Sequence, residues 1–197
     1  MKVAGVVLAA GAGVRLGRPK AQVELDGRRL VDLAVEACAH AGLDPVVVVT
    51  GAASVEPEPL AGTHQLKAPE VVVAHNPEWD SGQASSLRAG LAAVGARPEV
   101  DALVVTLVDT PGVRAEHLRR VVTALADGAT AAVAAYRGQQ RTPVGLVREV
   151  WAEVADAVHG DEGARAWLRE HQGLVTPVEC GDLGPWRDID VPADLPS

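Results

Sequence analysis

The chain alternates between runs of aliphatic residues and stretches in which apolar residues recur at helical spacing. The aliphatic runs predict buried strands at residues 2–8, 45–50, 71–74, 101–109 and 129–136. The helical spacing predicts helices at residues 29–41, 85–94, 114–126, 148–158 and 162–171. A return strand follows a turn around Gly138, and short extended pieces are predicted at 174–178 and 186–189. The stretch 51–70 is rich in glycine and proline, which predicts a surface loop with at most one helical turn.

Strands that alternate with helices of about ten residues are typical of βαβ units, and continuous aliphatic runs are typical of strands buried on both faces. We therefore predict an α/β fold with three layers, α/β/α, around a Rossmann-like, mostly parallel sheet. The length of 197 residues and the hydrophobic content of 48% predict one domain over residues 1–197. Ligands of such sheets bind beyond the carboxyl ends of the strands, which directs attention to the loops at 9–20, 75–86 and 109–112.

Composition narrows the class of protein. The net charge of −8 argues against a nucleic-acid-binding or anionic-membrane surface, and no apolar run has the length of a membrane span. Cys38 lies on the apolar face of a predicted helix and forms no Cys-x-x-Cys pair, so neither a zinc site nor a disulfide framework is expected. The run from Val3 to Ala10 is short for a signal peptide and suits a buried first strand better. A cytoplasmic protein is expected.

The first strand runs into a glycine-rich loop with the sequence "LAAGAGVRLGRPK". Gly11, Gly13 and Gly17 are spaced one residue too widely for a dinucleotide fingerprint, and no carboxylate follows the second strand. A P-loop needs Lys and then Ser or Thr directly after its last glycine, whereas Arg18 follows Gly17. A small-residue loop with several cations suits a triphosphate, but an exposed loop with solvated charges is equally compatible with these residues alone.

Four later segments give the loop a family context. The segments are "NPEWDSGQASSLRAGL", "VDTP", "GDEGAR" and "DIDVPADL". Together with the loop, in this order and over nearly the whole chain, they resemble the molybdenum cofactor cytidylyltransferases among the MobA-like NTP transferases. The resemblance implies a fold of the nucleotide-diphospho-sugar transferase type. It also implies transfer of CMP from CTP to molybdopterin, with release of pyrophosphate and formation of the cytosine dinucleotide cofactor.

Three alternatives to this activity stay open. In the first alternative the donor is GTP instead of CTP. In the second the acceptor is another phosphorylated compound, such as a sugar. In the third the protein binds nucleotide without catalysis. The resemblance further implies transient contact with a molybdoenzyme or its maturation factor. The charge and the lack of a long apolar run predict no nucleic-acid or membrane partner.

The same resemblance assigns roles to particular residues. Arg15 and Lys20 are the expected catalytic residues, which hold the triphosphate and stabilise the leaving pyrophosphate. Asp109 and Asp190 are the expected ligands of Mg²⁺ or Mn²⁺, with Asp190 favoured over Asp188. The acceptor is expected at Asp161 and Arg165. The expected nucleotide-binding residues, with the base against the backbone of the two alanines, are Leu8, Ala9, Ala10, Gly11, Gly13, Arg15, Lys20, Gly82 and Ser86.

Each assignment has a structural alternative. Asp109 suits a helix N-cap or a turn, Ser86 the start of a helix, and Asp161 the positive end of a helix dipole. The chain also departs from the family pattern at two places. Thr110 stands where the family has Gln, and residues 141–143 read Arg-Thr-Pro where the family often has Gly-His-Pro. The second departure is expected near the acceptor and bears on the acceptor's identity.

Overall fold

The computed structural model describes residues 1–60 and 68–195. A sheet of seven strands forms its centre, with a separate two-stranded ribbon beside it. The strands are β1 (Val3–Leu8), β2 (Glu24–Leu25), β3 (Arg28–Arg29), β4 (Val46–Thr50), β5 (Val71–His75), β6 (Ala102–Leu107), β7 (Ala131–Tyr136), β8 (Gln139–Val147) and β9 (Val175–Glu179). The α-helices are α1 (Leu30–His40), α2 (Gln83–Gly95), α3 (Ala115–Ala126), α4 (Trp151–Ala157) and α5 (Arg165–Glu170).

The central sheet has the strand order β5-β4-β1-β6-β8-β7-β9, and β2 pairs with β3 in the ribbon. Strands β5, β4, β1 and β6 are parallel, and β9 is parallel to β7. Only β8 runs antiparallel to its two neighbours within the described residues. The predicted mostly parallel α/β sheet is therefore confirmed.

Alternate residues of the strands serve two separate cores. In β1, Val3 and Val7 face the core covered by α1 and α3, whereas Val6 and Leu8 face the core covered by α2, α4 and α5. Gly5 allows α1 to approach closely, because a Cβ at this position would lie 3.1 Å from the Sγ of Cys38. The buried position of Cys38 agrees with its predicted place on the apolar helix face. Helices on both faces of the sheet give the three predicted layers.

Some predicted elements differ in extent. The helix predicted at 148–158 begins as a 3₁₀ turn and continues as α4, and the helix predicted at 162–171 is the shorter α5. Gly163, with a φ of +54°, lies in a turn that delays the start of α5. The piece predicted at 186–189 forms no strand. Part of the predicted loop at 51–70, residues 61–67, lies outside the described residues.

In the described ranges, no helix is long and apolar enough to cross a membrane.

Candidate nucleotide and cation site

The candidate site lies at the carboxyl edge of the sheet, between β1 and β6. From β1 the chain adds β4 and β5 on one side, and it then returns to place β6 on the other side of β1. The strand order therefore reverses at this point, and the loops that follow β1 and β6 diverge from each other. Crevices of this kind are where open α/β sheets bind their ligands.

The glycine-rich loop folds back on itself after β1. Gly13 has a φ of +58°, and a Cβ there would lie 2.1 Å from the carbonyl oxygen of Arg18, so only glycine fits. The backbone N–H of Lys20 donates to the carbonyl of Gly11 at 3.4 Å, which turns the Lys20 side chain toward the sheet edge. None of the backbone hydrogen bonds between described residues uses the N–H groups of residues 10–14. These N–H groups are therefore available to an anion.

Four charged side chains form one cluster at the sheet edge. The Nζ of Lys20 lies 2.5 Å from Oδ2 of Asp109 and 2.6 Å from Oδ1 of Asp190. A guanidinium nitrogen of Arg15 lies 2.9 Å from Oδ2 of Asp190. The structure thus brings together the two predicted catalytic cations and the two predicted metal ligands.

Backbone contacts hold the two carboxylates in position. Asp109 follows β6, and its carbonyl accepts a 2.8 Å hydrogen bond from the N–H of Ile189, whose side chain is buried. The carboxylate of Asp194 accepts hydrogen bonds from the N–H groups of Asp190 and Val191, both at 2.8 Å. These contacts direct Asp190 at Lys20, while Asp188 is exposed. Asp190 therefore contacts Lys20, the charge of Asp188 also acts on Asp109, and the preference for Asp190 as a metal ligand stays a prediction.

Burial and neighbouring charges shift the pKa values of the clustered side chains in different directions. Burial raises the pKa of Asp109, and the hydrogen bond from Lys20 offsets this effect only in part. Hydrogen bonding to Lys20 lowers the pKa of Asp190. Burial lowers the pKa of Lys20, but the hydrogen bonds and charges of the two carboxylates outweigh it and leave the pKa raised. The two carboxylates therefore favour the charged form of Lys20.

The carboxylates also fit a divalent cation. Oδ1 of Asp109 is buried and has no hydrogen-bond partner, so one oxygen of this carboxylate is free to bind a metal ion. The described residues contain no group of three or more His, Cys, Asp or Glu side chains suited to hold a metal ion. Mg²⁺ is usually bound by one or two carboxylates together with phosphate oxygens and water. The pair Asp109 and Asp190 therefore suits a cation that enters with a nucleotide.

A cavity of about 370 Å³ opens beside the charged cluster. Two predicted nucleotide-binding residues do not line it. Ala9 packs into the core and its N–H donates to the carbonyl of Val49, and Arg15 is exposed and contacts Asp190. The nucleotide-binding roles of Ala9 and Arg15 stay predictions, and Ala10 lies at the cavity wall. The predicted residues that line the cavity are Leu8, Ala10, Gly11, Gly13, Lys20, Gly82 and Ser86, and Asp109 lines it as well.

The start of α2 carries part of the cavity wall. Gly82 has a φ of +112°, and a Cβ there would lie 2.5 Å from the carbonyl oxygen of Gly160. Because of this close contact, the segment of Asp161 lies against the N-terminus of α2. The buried side-chain amide of Asn76 donates to the hydroxyls of Ser85 and Ser86, at 2.8 and 3.1 Å, and holds them in place. Asn76 was not predicted, although it begins the quoted "NPEWDSGQ" segment.

A second cavity, of about 260 Å³, adjoins the first. Leu8, Gln83 and Leu107 line both cavities. The two predicted acceptor residues are divided between them, because Asp161 lines the first cavity and Arg165 the second. Asp161 also precedes α5 by several residues, so it does not lie in the first turn of that helix.

The two departures from the family pattern lie in different surroundings. The hydroxyl of Thr110 donates back to the carbonyl of Leu107 at 2.9 Å, and Thr110 lines neither cavity. Arg141 and Thr142 line the second cavity, as does Gln140 before them. Neither Gln83 nor Gln140 was predicted, although Gln83 lies in the quoted "NPEWDSGQ" segment. Gln140 lies outside the quoted segments.

Comparison with known proteins adds to this geometry. Residues 5–174 match the family described as "MobA-like NTP transferase domain". Nicotine blue oxidoreductase of Paenarthrobacter nicotinovorans is 35% identical over 95% of this chain and 92% of its own length. Molybdenum cofactor guanylyltransferase of Rhizobium meliloti is 27% identical over 96% of this chain and 87% of its own length.

Solved structures share the fold. The manganese complex of Rv0371C from Mycobacterium tuberculosis superimposes with a TM-score of 0.72 at 24% identity. The superposition covers 98% of this chain and 96% of that one. The sheet and its helices therefore have the fold of the nucleotide-diphospho-sugar transferases, as the resemblance implied.

Proposed function

The chain belongs to the MobA-like NTP transferase domain family, and from this we propose that it transfers CMP from CTP to molybdopterin. The reaction releases pyrophosphate and yields the cytosine dinucleotide form of the cofactor. Residues 1–197 act in this proposal as one nucleotidyltransferase domain in the cytoplasm. A molybdoenzyme or its maturation factor receives the product.

The contact of Lys20 with both Asp109 and Asp190 carries the proposal. It joins the glycine-rich loop, the end of β6 and the C-terminal segment at one point, beside a cavity with free backbone N–H groups. Transfer of a nucleotidyl group needs this combination, because the enzyme must bind a triphosphate and neutralise the charge that develops on the leaving group. A solvated loop cation would not need two partly buried carboxylates from distant parts of the chain.

Nucleotidyl transfer is an in-line displacement at phosphorus. An oxygen of the acceptor's phosphate forms a bond to the α-phosphorus of CTP, the bond to the bridging oxygen breaks, and pyrophosphate leaves with its electron pair. The N–H groups of residues 10–14 and the side chains of Arg15 and Lys20 hold the triphosphate in line and stabilise the leaving pyrophosphate. Asp109 and Asp190 would hold Mg²⁺ or Mn²⁺, which supplies further positive charge at the phosphates when bound.

The packing around Ala10 supports a pyrimidine base. A Cβ added at Gly51 would lie 2.8 Å from Cβ of Ala10 and 2.4 Å from Cβ of Trp79, so the wall behind Ala10 is tightly packed. The methyl group of Ala10 consequently cannot retreat to admit a larger ring, which favours cytosine over guanine. GTP is the alternative donor, since the Rhizobium meliloti relative is named a guanylyltransferase.

The direct test incubates the purified protein with Mg²⁺, molybdopterin carrying molybdenum, and each NTP in turn, and follows pyrophosphate release. We expect release with CTP and little with GTP. Release with GTP alone would replace the cytidylyl assignment by the guanylyl one. Turnover with a sugar phosphate instead of molybdopterin would retain the nucleotidyl transfer and reject the acceptor.

Oxidoreduction is a second candidate, because a relative with 35% identity is named nicotine blue oxidoreductase. An oxidoreductase of a small dye takes its electrons from a bound or diffusible reductant and has no use for a charge cluster that neutralises pyrophosphate. Oxidation of a reduced nicotinamide dinucleotide in the presence of that dye, unaffected by Lys20→Met, would favour this candidate. Absence of such oxidation together with pyrophosphate release would favour nucleotidyl transfer.

A further inference from the structure

The ammonium group of Lys20 bridges the two carboxylates that the proposed function assigns to a divalent cation. Its Nζ lies 2.5 Å from Oδ2 of Asp109 and 2.6 Å from Oδ1 of Asp190. The bridge is partly buried, since 19% of the Lys20 side chain and 15% of the Asp109 side chain are exposed. Mg²⁺ binds oxygen at about 2.0–2.1 Å, so an ion on these two oxygens would compete with the ammonium group for them.

The four side chains of this cluster have balanced charges. Arg15 adds a second cation, and its guanidinium nitrogen lies 2.9 Å from Oδ2 of Asp190. Both oxygens of Asp190 thus accept hydrogen bonds from cations, and Oδ2 of Asp109 accepts one from Lys20. Oδ1 of Asp109 is the one oxygen of the two carboxylates with no partner among the described residues. A divalent cation must therefore displace a charge-assisted hydrogen bond to gain a second carboxylate oxygen.

A triphosphate would offer Lys20 a different anionic partner. Lys20 lines the nucleotide cavity together with Gly11 and Gly13 of the preceding loop. The N–H groups of residues 10–14, which form none of the backbone hydrogen bonds between described residues, are available to phosphate oxygens in this loop. An ammonium group at the same cavity wall, with three donors on a flexible four-carbon chain, can contact those oxygens as well.

The backbone of Lys20 is held on both sides, so a change of partner needs only a movement of its side chain. Its N–H donates to the carbonyl of Gly11 at 3.4 Å, and its carbonyl accepts a hydrogen bond from the N–H of Val23 at 3.1 Å. The loop is also closed tightly at this point, because a Cβ at Gly13 would lie 3.1 Å from the nitrogen of Lys20. The ammonium group can therefore pass from carboxylate to phosphate while the loop stays in place.

We infer that Lys20 excludes a divalent cation from Asp109 and Asp190 until a triphosphate draws its ammonium group away. The inference rests on the proposed nucleotidyl transfer and describes how the site of that reaction is regulated. The carboxylate oxygens become available when the phosphate oxygens, which supply the cation's other ligands, arrive. The cation and the triphosphate consequently strengthen each other's binding by the same factor, and the cation alone binds weakly.

The test measures the binding of the cation and of the nucleotide separately, so that it does not depend on turnover. Electron paramagnetic resonance measures free Mn²⁺ in titrations of the full chain without nucleotide, and isothermal titration calorimetry measures the binding of CTP in buffer with EDTA. We expect Lys20→Met to bind Mn²⁺ about tenfold or more tightly than the native protein, because the competing cation is gone. The same variant should bind metal-free CTP about tenfold or more weakly, because it lacks the ammonium group that contacts the phosphates.

Two further variants control for charge and for location. Arg18→Met removes an exposed cation of the same loop that does not line the nucleotide cavity, so both affinities should stay within about twofold of the native values. Lys20→Met combined with Asp109→Asn should lose the gain in Mn²⁺ affinity, because the ion then lacks one of its carboxylates. A gain of equal size in Arg18→Met, or a gain that persists in the double variant, would overturn the inference.

The inference and the proposed function fail in distinguishable ways. Unchanged or weaker Mn²⁺ binding by Lys20→Met would overturn the exclusion of the cation, and unchanged CTP binding would overturn the movement of Lys20 to the triphosphate. A general disturbance of the fold would weaken both ligands, whereas the inference requires opposite shifts. Opposite shifts in a protein that turns over no NTP would retain the role of Lys20 and reject the activity. Pyrophosphate release by the native protein, with equal Mn²⁺ affinities in the native protein and Lys20→Met, would retain the activity and reject the exclusion.

Discussion

Lys20 and Asp109 are 89 positions apart in the chain, yet the Nζ of one lies 2.5 Å from Oδ2 of the other. Lys20 ends the glycine-rich loop after β1, and Asp109 follows the neighbouring parallel strand β6. The same ammonium group contacts Asp190, a further 81 positions along the chain. Three segments that are weak motifs by themselves therefore meet at one ammonium group, beside the nucleotide cavity. The following predictions depend on this arrangement and on the sheet that supports it.

Replacement of Asp109 by Asn should abolish turnover and leave the fold intact. The amide keeps the size of the side chain but removes the negative charge that would bind Mg²⁺ or Mn²⁺. We expect kcat to fall by about 100-fold or more, measured as pyrophosphate release. Because burial raises the pKa of Asp109, the ionised carboxylate is disfavoured in the fold, and a neutral amide should not lower the melting temperature.

Asp101→Asn is the matched control, since Asp101 precedes the opposite end of β6 and contacts the N–H of Lys2 at the surface. We expect native turnover from it. Turnover of Asp109→Asn within about threefold of the native rate would contradict the metal assignment.

Lys20→Met should weaken both the binding of CTP and the chemical step. The ammonium group lies between two carboxylates at the cavity wall and is placed to contact phosphates during transfer. We expect kcat/KM for CTP to fall by about 100-fold or more. Arg18→Met, which removes an exposed cation two positions earlier in the same loop, should change kcat/KM less than about twofold. Equal losses in the two variants would indicate a general effect of loop charge instead of a specific role for Lys20.

Gly90→Ala should destabilise the fold, whereas Gly95→Ala should not. A Cβ at Gly90 would lie 2.6 Å from Cγ1 of Val6, so helix α2 would have to move away from the sheet. We expect a loss of roughly 1–3 kcal/mol in the free energy of unfolding, measured by urea denaturation. A Cβ at Gly95 meets nothing within 4 Å, and alanine there should be neutral or stabilising by up to about 1 kcal/mol. A stable Gly90→Ala protein would contradict the close packing of α2 on β1.

His117 should make stability fall as the solution becomes acidic. Its Nδ1 accepts a hydrogen bond from the N–H of Arg114 at 3.2 Å, at the N-terminus of α3, and this requires an unprotonated nitrogen. Burial first, and then the charge of Arg114, lower its pKa below the ordinary value of 6.5. The unfolded chain therefore binds the proton more readily than the folded chain. The stability that unprotonated His117 contributes is fully present above pH 6.5. It is lost as the pH falls from there through the lowered pKa.

Thermal unfolding between about pH 5 and pH 7 measures this effect. His117→Gln should flatten the dependence of the melting temperature on pH over that interval. His159→Gln, at an exposed position, should retain the native slope. Equal slopes in all three proteins would show that another group is responsible for the acid sensitivity.

The layers of the fold were predictable because strand burial depends on local sequence. The runs that became β1, β4 and β6 are aliphatic at nearly every position, as burial on both faces requires. The late segments were harder to predict. Residues 186–189 were predicted to be extended, but the N–H of Ile189 bonds to the carbonyl of Asp109 and the segment joins no sheet. That choice depends on a partner about eighty residues away, which no local pattern encodes.

The residues of the candidate site were likewise predictable from the sequence only in part. Arg15, Lys20, Asp109 and Asp190 lie in motifs, and the structure brings them together. Ala9 lies in the same motif, and its N–H donates to the carbonyl of Val49, so its role at the nucleotide stays a prediction. Gln83 also lies in a quoted segment, but its position between the two cavities follows from the docking of α2 on the sheet. Motifs thus indicate the charged groups, whereas cavity walls depend on tertiary packing.

The most direct test of nucleotidyl transfer follows the nucleotide itself. The protein is incubated with Mg²⁺, molybdopterin carrying molybdenum, and CTP labelled at its α-phosphate, and the products are separated and weighed by mass spectrometry. We predict that the label enters a product with the mass of the acceptor plus CMP, in equal amount to the pyrophosphate released, and that Lys20→Met forms almost none. Label that remains in CTP, or that is released as free CMP with no adduct, would contradict nucleotidyl transfer to this acceptor.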